Sequence, residues 1–161
     1  MSRKDVTSTL TEASIDFWAV RCRMGVFKEV GVVKWGRLRC DLLCIHMSGE
    51  ITGVEIKSCK ADFDTDHKMQ NYLPYLDKLY LVCPPGLVKY ARQKLESRDW
   101  GNSIGIYTLG RNGYLKCKKP ARQLNTLTDK ERIRLLSKLA WRAADYSRKV
   151  RKRRTRRYLT K

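Results

Sequence analysis

Residues 49–68 read "GEITGVEIKSCKADFDTDHK", and this stretch decides the fold class. Successive side chains of an extended segment point to opposite faces, so Val54 and Ile56 share one face while Glu55 and Lys57 share the other. One face is apolar and the other carries an acid and a base. A strand that only builds a core has no use for that pair. Taken alone, the pair also reads as an ordinary solvated strand face, because surface ion pairs are common and weak.

Working outward, "RLRCDLLCI" alternates in the same way. Leu38, Cys40, Leu42 and Cys44 take one face, and Arg37, Arg39 and Asp41 the other. With "VFKEVGVVKW" before it, three strands are predicted over about residues 26–58, joined at Trp35-Gly36 and Ser48-Gly49. Upstream, Thr9 and Glu12 have the spacing of a capping box, ahead of Ile15, Trp18, Ala19 and Cys22 on one face of a helix over about 10–23. Downstream, "DHKMQNYLPYLD" suits a helix kinked or ended by Pro74, "KLYLVCP" a strand and "GLVKYARQKLESR" a helix. "SIGIYTL" and "GYLKCKK" read as strands turned at Arg111-Asn112-Gly113. Thr128 and Glu131 open a long amphipathic helix with Ile133, Leu136, Ala140 and Ala144 on its apolar side. Strands flanked by helices at both ends make an α/β sandwich around a mixed sheet.

Composition narrows the function. The 161 residues carry 35 Lys and Arg against 16 Asp and Glu, a net charge of +19. Such a surplus points to a polyanion, with nucleic acid ahead of an anionic membrane. No run of about 18 apolar residues offers a membrane span, and "MSRKDVTSTL" has no apolar signal stretch, so the protein is expected to stay in the cytoplasm. Six cysteines form no C-x-x-C pair and read as free thiols, most of them buried. No RNP-type aromatic pattern or KH-type loop marks an RNA-binding module.

If the strand bearing Asp41 pairs with the next, Asp41 sits beside Glu55 and Lys57. Two converging carboxylates repel and need a cation, and hard oxygen donors select Mg²⁺ or Mn²⁺. A cation so placed neutralises charge on a phosphodiester, while Lys57 positions water or stabilises the developing oxyanion. Neighbouring carboxylates raise a lysine pKa, which argues against Lys57 as a general base.

Asp41, thirteen intervening residues and Glu55-x-Lys57 resemble the D…E-x-K signature of the PD-(D/E)XK nuclease superfamily. The longer run from Gly36 to Gly86 is similar to the MmcB-like branch of DNA repair proteins. The matching positions are Gly36, Arg37, Asp41, Glu55, Ile56, Lys57, Asp62, Phe63, Asp66, Lys68, Tyr72 and Asp77, and the resemblance covers about residues 10–145. It implies a single restriction-endonuclease-like α/β domain over 1–147 and a metal-dependent deoxyribonuclease acting in DNA repair, recombination or processing. It also implies that Lys68 and Tyr72 look toward the site and contact DNA. The rival class is a DNA-binding module of nuclease-like fold that recruits repair partners without cutting.

The remaining candidates each carry an alternative. Glu12 is an additional catalytic acid or only a capping residue, and Glu29 is a lesser acidic candidate. Asp62 and Asp66 orient the following helix or Lys57 from behind the site. The Asp62-x-Asp64-x-Asp66 spacing imitates a calcium loop, but His67 and Leu73 stand where that loop needs Gly and Glu. His46 and His67 lack partners for a metal or triad role. Arg37 and Arg39 are read as DNA contacts beside the acids. The tail, residues 148–161, holds nine basic residues and no acid. Arg151, Lys152, Arg153 and Arg154 at its centre are expected to hold phosphate without reading sequence.

Overall fold

The computed structural model describes the backbone of residues 2–33 and 38–158. Its first helix, α1 (Arg3–Ile15), begins well before the predicted residue 10. Ser2 caps it: the Ser2 hydroxyl accepts from the Asp5 N–H at 3.2 Å, and the Asp5 carboxylate accepts from the Ser2 N–H at 2.8 Å. The Thr9–Glu12 spacing therefore falls inside the helix, where the Thr9 hydroxyl donates to the Asp5 carbonyl. One turn of π-helix, Asp16–Arg21, follows and closes on Cys22, whose N–H donates to the Phe17 carbonyl.

Six strands form one mixed sheet in chain order: β1 (Gly25–Gly31), β2 (Arg39–Ile45), β3 (Ile51–Ile56), β4 (Lys78–Cys83), β5 (Gly105–Leu109) and β6 (Leu115–Lys119). The first three make the predicted antiparallel meander. β3, β4 and β5 are parallel, and β6 returns antiparallel. Residues 34–37, and with them Arg37, lie outside the described residues.

The segment after β3 holds two short helices, α2 (Lys60–Asp64) and α3 (Met69–Tyr72), in place of the longer one predicted. A 3₁₀ turn containing Pro74 ends α3, as its fixed φ and missing N–H require. α4 (Val88–Glu96) links β4 to β5. α1 packs through Leu10, and the π-turn after it through Trp18, on the sheet face that carries Val54 and Ile56.

The α1 side is an apolar cluster of Leu10, Trp18, Leu42, Cys44, Val54, Ile56 and Val82. Phe17, Trp18, Tyr80 and Tyr107 pack edge-on or tilted there at centroid separations of 5.0–6.0 Å. On the other side Gly53 leaves room for Leu76: a Cβ at Gly53 would lie 2.4 Å from the Leu76 Cδ1. Cys40, Cys44 and Cys83 are buried free thiols, whereas Cys117 is exposed.

The chain packs as two units, residues 1–127 and 128–161. The sheet belongs to the first. The second is α5 (Asp129–Tyr158), whose first turn is anchored where the Thr128 hydroxyl accepts from the Glu131 N–H. Among its described side chains Leu135 and Leu139 are buried while Ile133 is 64% exposed, so the predicted apolar stripe is displaced around the helix. The side chains of Arg151, Lys152, Arg153 and Arg154 lie outside what the structure describes.

Candidate active site

The register Leu42↔Val54 and Leu43↔Gly53, carried one step further, sets Asp41 across from Glu55. The Ile56 N–H donates to Asp41 Oδ2 at 2.7 Å, fixing that carboxylate against the end of β3. Glu55 and Lys57 are 6% and 8% exposed. Lys57 Nζ donates to Glu55 Oε1 at 3.1 Å and lies 2.5 Å from Asp66 Oδ2. Asp66 thus holds Lys57 from the far side, and accepts from the Lys68 N–H with its other oxygen.

Asp62 has a different task. Its Oδ2 accepts from the Ser58 hydroxyl at 2.6 Å and the Ser58 N–H at 3.3 Å, bracing α2 on the end of β3, and it pairs with Arg3 of α1. Two cavities of about 280 and 330 Å³ open on either side of this cluster and share Glu29, Asp41, Glu55, Lys57 and Asp62. Arg3, Thr7, Thr11, Lys28 and Ile56 complete the first. Arg39, Thr65, Lys68 and Tyr72 complete the second. The cleft lies at the carboxyl end of a parallel strand, where open α/β sheets place their ligands.

Electrostatics follow from burial. Desolvation, then the Asp41 charge, push the Glu55 carboxyl up to about 8, and the Lys57 ammonium offsets them only in part. Asp41 is also raised, chiefly by burial, against the Ile56 hydrogen bond and Lys57. Burial opposes the charge on Lys57, but Glu55 and Asp66 outweigh it and raise the lysine pKa. Burial likewise opposes the Asp66 charge, and the Lys57 and Lys68 hydrogen bonds hold Asp66 below the usual carboxylate range. Lys57 is a fixed cation and Glu55 an acid that sheds its proton reluctantly.

One oxygen of Glu55 is left over. Glu55 Oε2 is fully buried and has no hydrogen-bond partner. A carboxylate oxygen in that state costs about 1–3 kcal/mol or more unless something binds it. A small hard cation between Asp41 and Glu55 would satisfy it and relieve the repulsion between the two acids. Among the described residues no three His, Cys, Asp or Glu side chains form a ready-made metal cage. Mg²⁺ does not need one, because it is commonly held by one or two carboxylates and keeps several waters.

The other sequence candidates divide. Arg39 lies at the cleft, its Nε 2.6 Å from Glu29 Oε2. Lys68 is exposed at the second cavity. Tyr72 is 1% exposed and donates its hydroxyl to the Arg39 carbonyl at 2.7 Å. That bond ties α3 to β2, while Tyr72 shows only a sliver of its surface to the second cavity. Glu12 sits on the exposed side of α1, 3.2 Å from Lys28, and does not line either cavity. Asp77, the last residue of the matching pattern, is at the other end of β3, where it accepts from the Ile51 N–H at 2.7 Å.

Sequence reasoning passed over two features of this cleft. Arg3, Thr7 and Thr11 recur every four residues and so share one face of α1, a pattern visible only once the helix is started at Ser2. Glu29 has a left-handed backbone with φ 54°, uncommon for a residue with a side chain, in the middle of β1. It faces Asp41, and the ladder partners Lys28↔Leu42 and Val30↔Cys40 flank it.

Fold and cleft together define a mixed-sheet α/β protein with a half-buried aspartate beside a buried glutamate and a paired lysine at one strand end. A family model described as DNA repair protein MmcB-like matches residues 4–90, more than half of the chain. The chain belongs to the MmcB-like family of DNA repair proteins. Among solved structures it is similar to a protein of unknown function from Silicibacter pomeroyi, with a TM-score of 0.68 and 19% identity. That match covers 94% of this chain and 92% of the other, and at such identity it speaks for the fold. No curated protein matches the chain. No described helix is long and apolar enough to cross a membrane.

Proposed function

We propose that this protein is a metal-dependent DNA nuclease of PD-(D/E)XK type, with a restriction-endonuclease-like core, that hydrolyses phosphodiester bonds in DNA repair, recombination or processing. The observation that carries the reading is Glu55 Oε2: a buried, unpartnered carboxylate oxygen across from Asp41 and two residues before a buried lysine. A purely structural strand end has no reason to retain it.

Asp41 and Glu55 are the residues that would hold Mg²⁺ or Mn²⁺. When bound, such a cation supplies positive charge to the phosphate and makes water a better nucleophile at neutral pH. Water attacks phosphorus, one P–O ester bond breaks, the attacking water loses a proton to solvent and the departing oxygen gains one. Lys57, kept charged by Glu55 and Asp66, stabilises the negative charge that grows on the phosphoryl oxygens. Arg39 and Lys68 on one side, and Arg3 and Lys28 on the other, flank the acids with cations for the adjoining phosphates.

The rival is a DNA-binding module of nuclease-like fold that recruits partners without cutting, since a fold does not fix its chemistry. One experiment separates the two. Purified protein is incubated with labelled linear, single-stranded, circular and branched DNA in Mg²⁺, Mn²⁺ or EDTA. Cleavage in either metal but not in EDTA is expected. Retention of DNA without cleavage in every condition would sink the nuclease.

A further inference from the structure

α2 has two sides. Asp62 turns into the cleft, whereas Lys60 and Asp64, one helical turn apart, face α4. There the Tyr90 hydroxyl donates to Asp64, and its ring meets Phe63 edge-on at 6.1 Å. Lys60 Nζ lies 5.1 Å from the Tyr90 ring centroid and Lys94 Nζ 5.5 Å. Beyond them the Arg98 guanidinium lies 5.6 Å from the Phe63 ring and 5.1 Å from that of Trp100. All of these separations are within the range of cation–π attraction.

We infer that this ladder of Lys60, Lys94 and Arg98 is a second nucleic-acid contact that grips the DNA backbone where it leaves the cleft. Asp64 is the acid that meets these cations; Glu96, on the same helix, acts on Lys119 instead. The patch therefore keeps a positive surplus. Its cations are also folded down on rings, so much of the rotamer freedom that a loose lysine gives up on binding is already lost. A solubility face has no use for that ordering. Because cations sit over the Tyr90 and Trp100 rings, bases do not stack on those faces, and the contact reads phosphate without base preference. Its place is set by α2, one helix wide, whose opposite side borders the catalytic acids.

This contact rests on the nucleic-acid part of the proposed function and not on the chemistry. The test measures binding of fluorescent DNA in EDTA over a range of salt. Lys60→Gln/Lys94→Gln is expected to weaken affinity at least about tenfold near 0.1 M salt, and to make the salt slope shallower by about 1.4–1.8, for unrelated sequences alike. Both lysines are exposed, so folding is retained; adding Arg98→Gln, which also loses packing on Phe63 and Trp100, is expected to deepen the effect. The control Lys78→Gln/Arg122→Gln removes the same two charges at the amino-terminal end of the parallel strands and is expected to leave binding within about twofold. Equal loss in both variants, or an unchanged slope in the first, overturns the contact. A contact that passes in a protein that cuts nothing upholds this surface and sinks only the nuclease.

Discussion

The two faces of β3 are equally closed to solvent, Val54 at 0% exposure and Glu55 at 6%, yet burial does opposite things on them. On the α1 face it removes apolar carbon from water, worth about 25 cal/mol per Å², and the aromatic cluster of Trp18, Tyr80 and Tyr107 extends the gain. On the other face it strips water from Asp41, Glu55 and Lys57, and leaves Glu55 Oε2 unpaired. Adjacent residues of one strand thus split the labour: one face stabilises the sheet, and the other draws on that stability to hold a desolvated acid and lysine side by side.

The largest effect is expected on the stabilising face. Trp18→Ala removes the side chain that touches Phe17, Tyr80 and Tyr107, and should cost about 3–5 kcal/mol in denaturant unfolding. A loss below about 1 kcal/mol would mean that this face does not carry the fold. Next comes the charged face. Asp41→Asn, Glu55→Gln and Lys57→Ala should each lower cleavage at least about a hundredfold, about 2.7 kcal/mol in barrier, with DNA binding largely kept. Equal cleavage by all three and the unaltered protein would show that the chemistry lies elsewhere.

The contrast was readable in the chain where it depends on alternation. The face assignment of Val54 and Ile56 against Glu55 and Lys57, and the placing of Asp41 beside them, need only a two-residue period and one hairpin register. What depends on competition or on long-range contact was not readable. Two capping-box spacings, Ser2–Asp5 and Thr9–Glu12, compete for one helix, and the packing of Val6 and Leu10 on the sheet decides for the first. Asp62 and Asp66 look alike in sequence, yet the end of α2 turns one toward Ser58 and the other toward Lys57. The left-handed Glu29 has no local cue at all, since its neighbours spell an ordinary strand.

A smaller effect sharpens the comparison through pH. In EDTA the folded Glu55 holds its proton to about 8, above the ordinary 4.5 taken for the unfolded chain. Its contribution is therefore present at low pH and is lost as pH rises from about 4.5 through about 8. Glu55→Gln should flatten that decline and make the metal-free protein more stable at pH 9 by about 1–3 kcal/mol. Mg²⁺ should stabilise the unaltered protein increasingly as pH rises, and the variant much less. A thermal-melt series in EDTA and in Mg²⁺ decides; an identical pH profile for both proteins would mean that Glu55 is not the strained group.

The smallest effect isolates the backbone at Glu29. A left-handed φ costs a residue with a side chain about 1–2 kcal/mol, and glycine nothing, whereas glycine gives the unfolded chain about 0.4–1 kcal/mol of extra entropy. Glu29→Gly should consequently melt close to the unaltered protein. Glu29→Ala keeps the strained φ and should be the less stable of the two by about 0.5–1 kcal/mol. Both variants lose the carboxylate that Arg39 pairs with at the cleft, so both should cut several-fold more slowly and by the same factor. Stability then separates the two variants while activity does not. The reverse outcome, glycine and alanine equal in stability but different in activity, would show that Glu29 acts on the site through backbone shape and not through its charge.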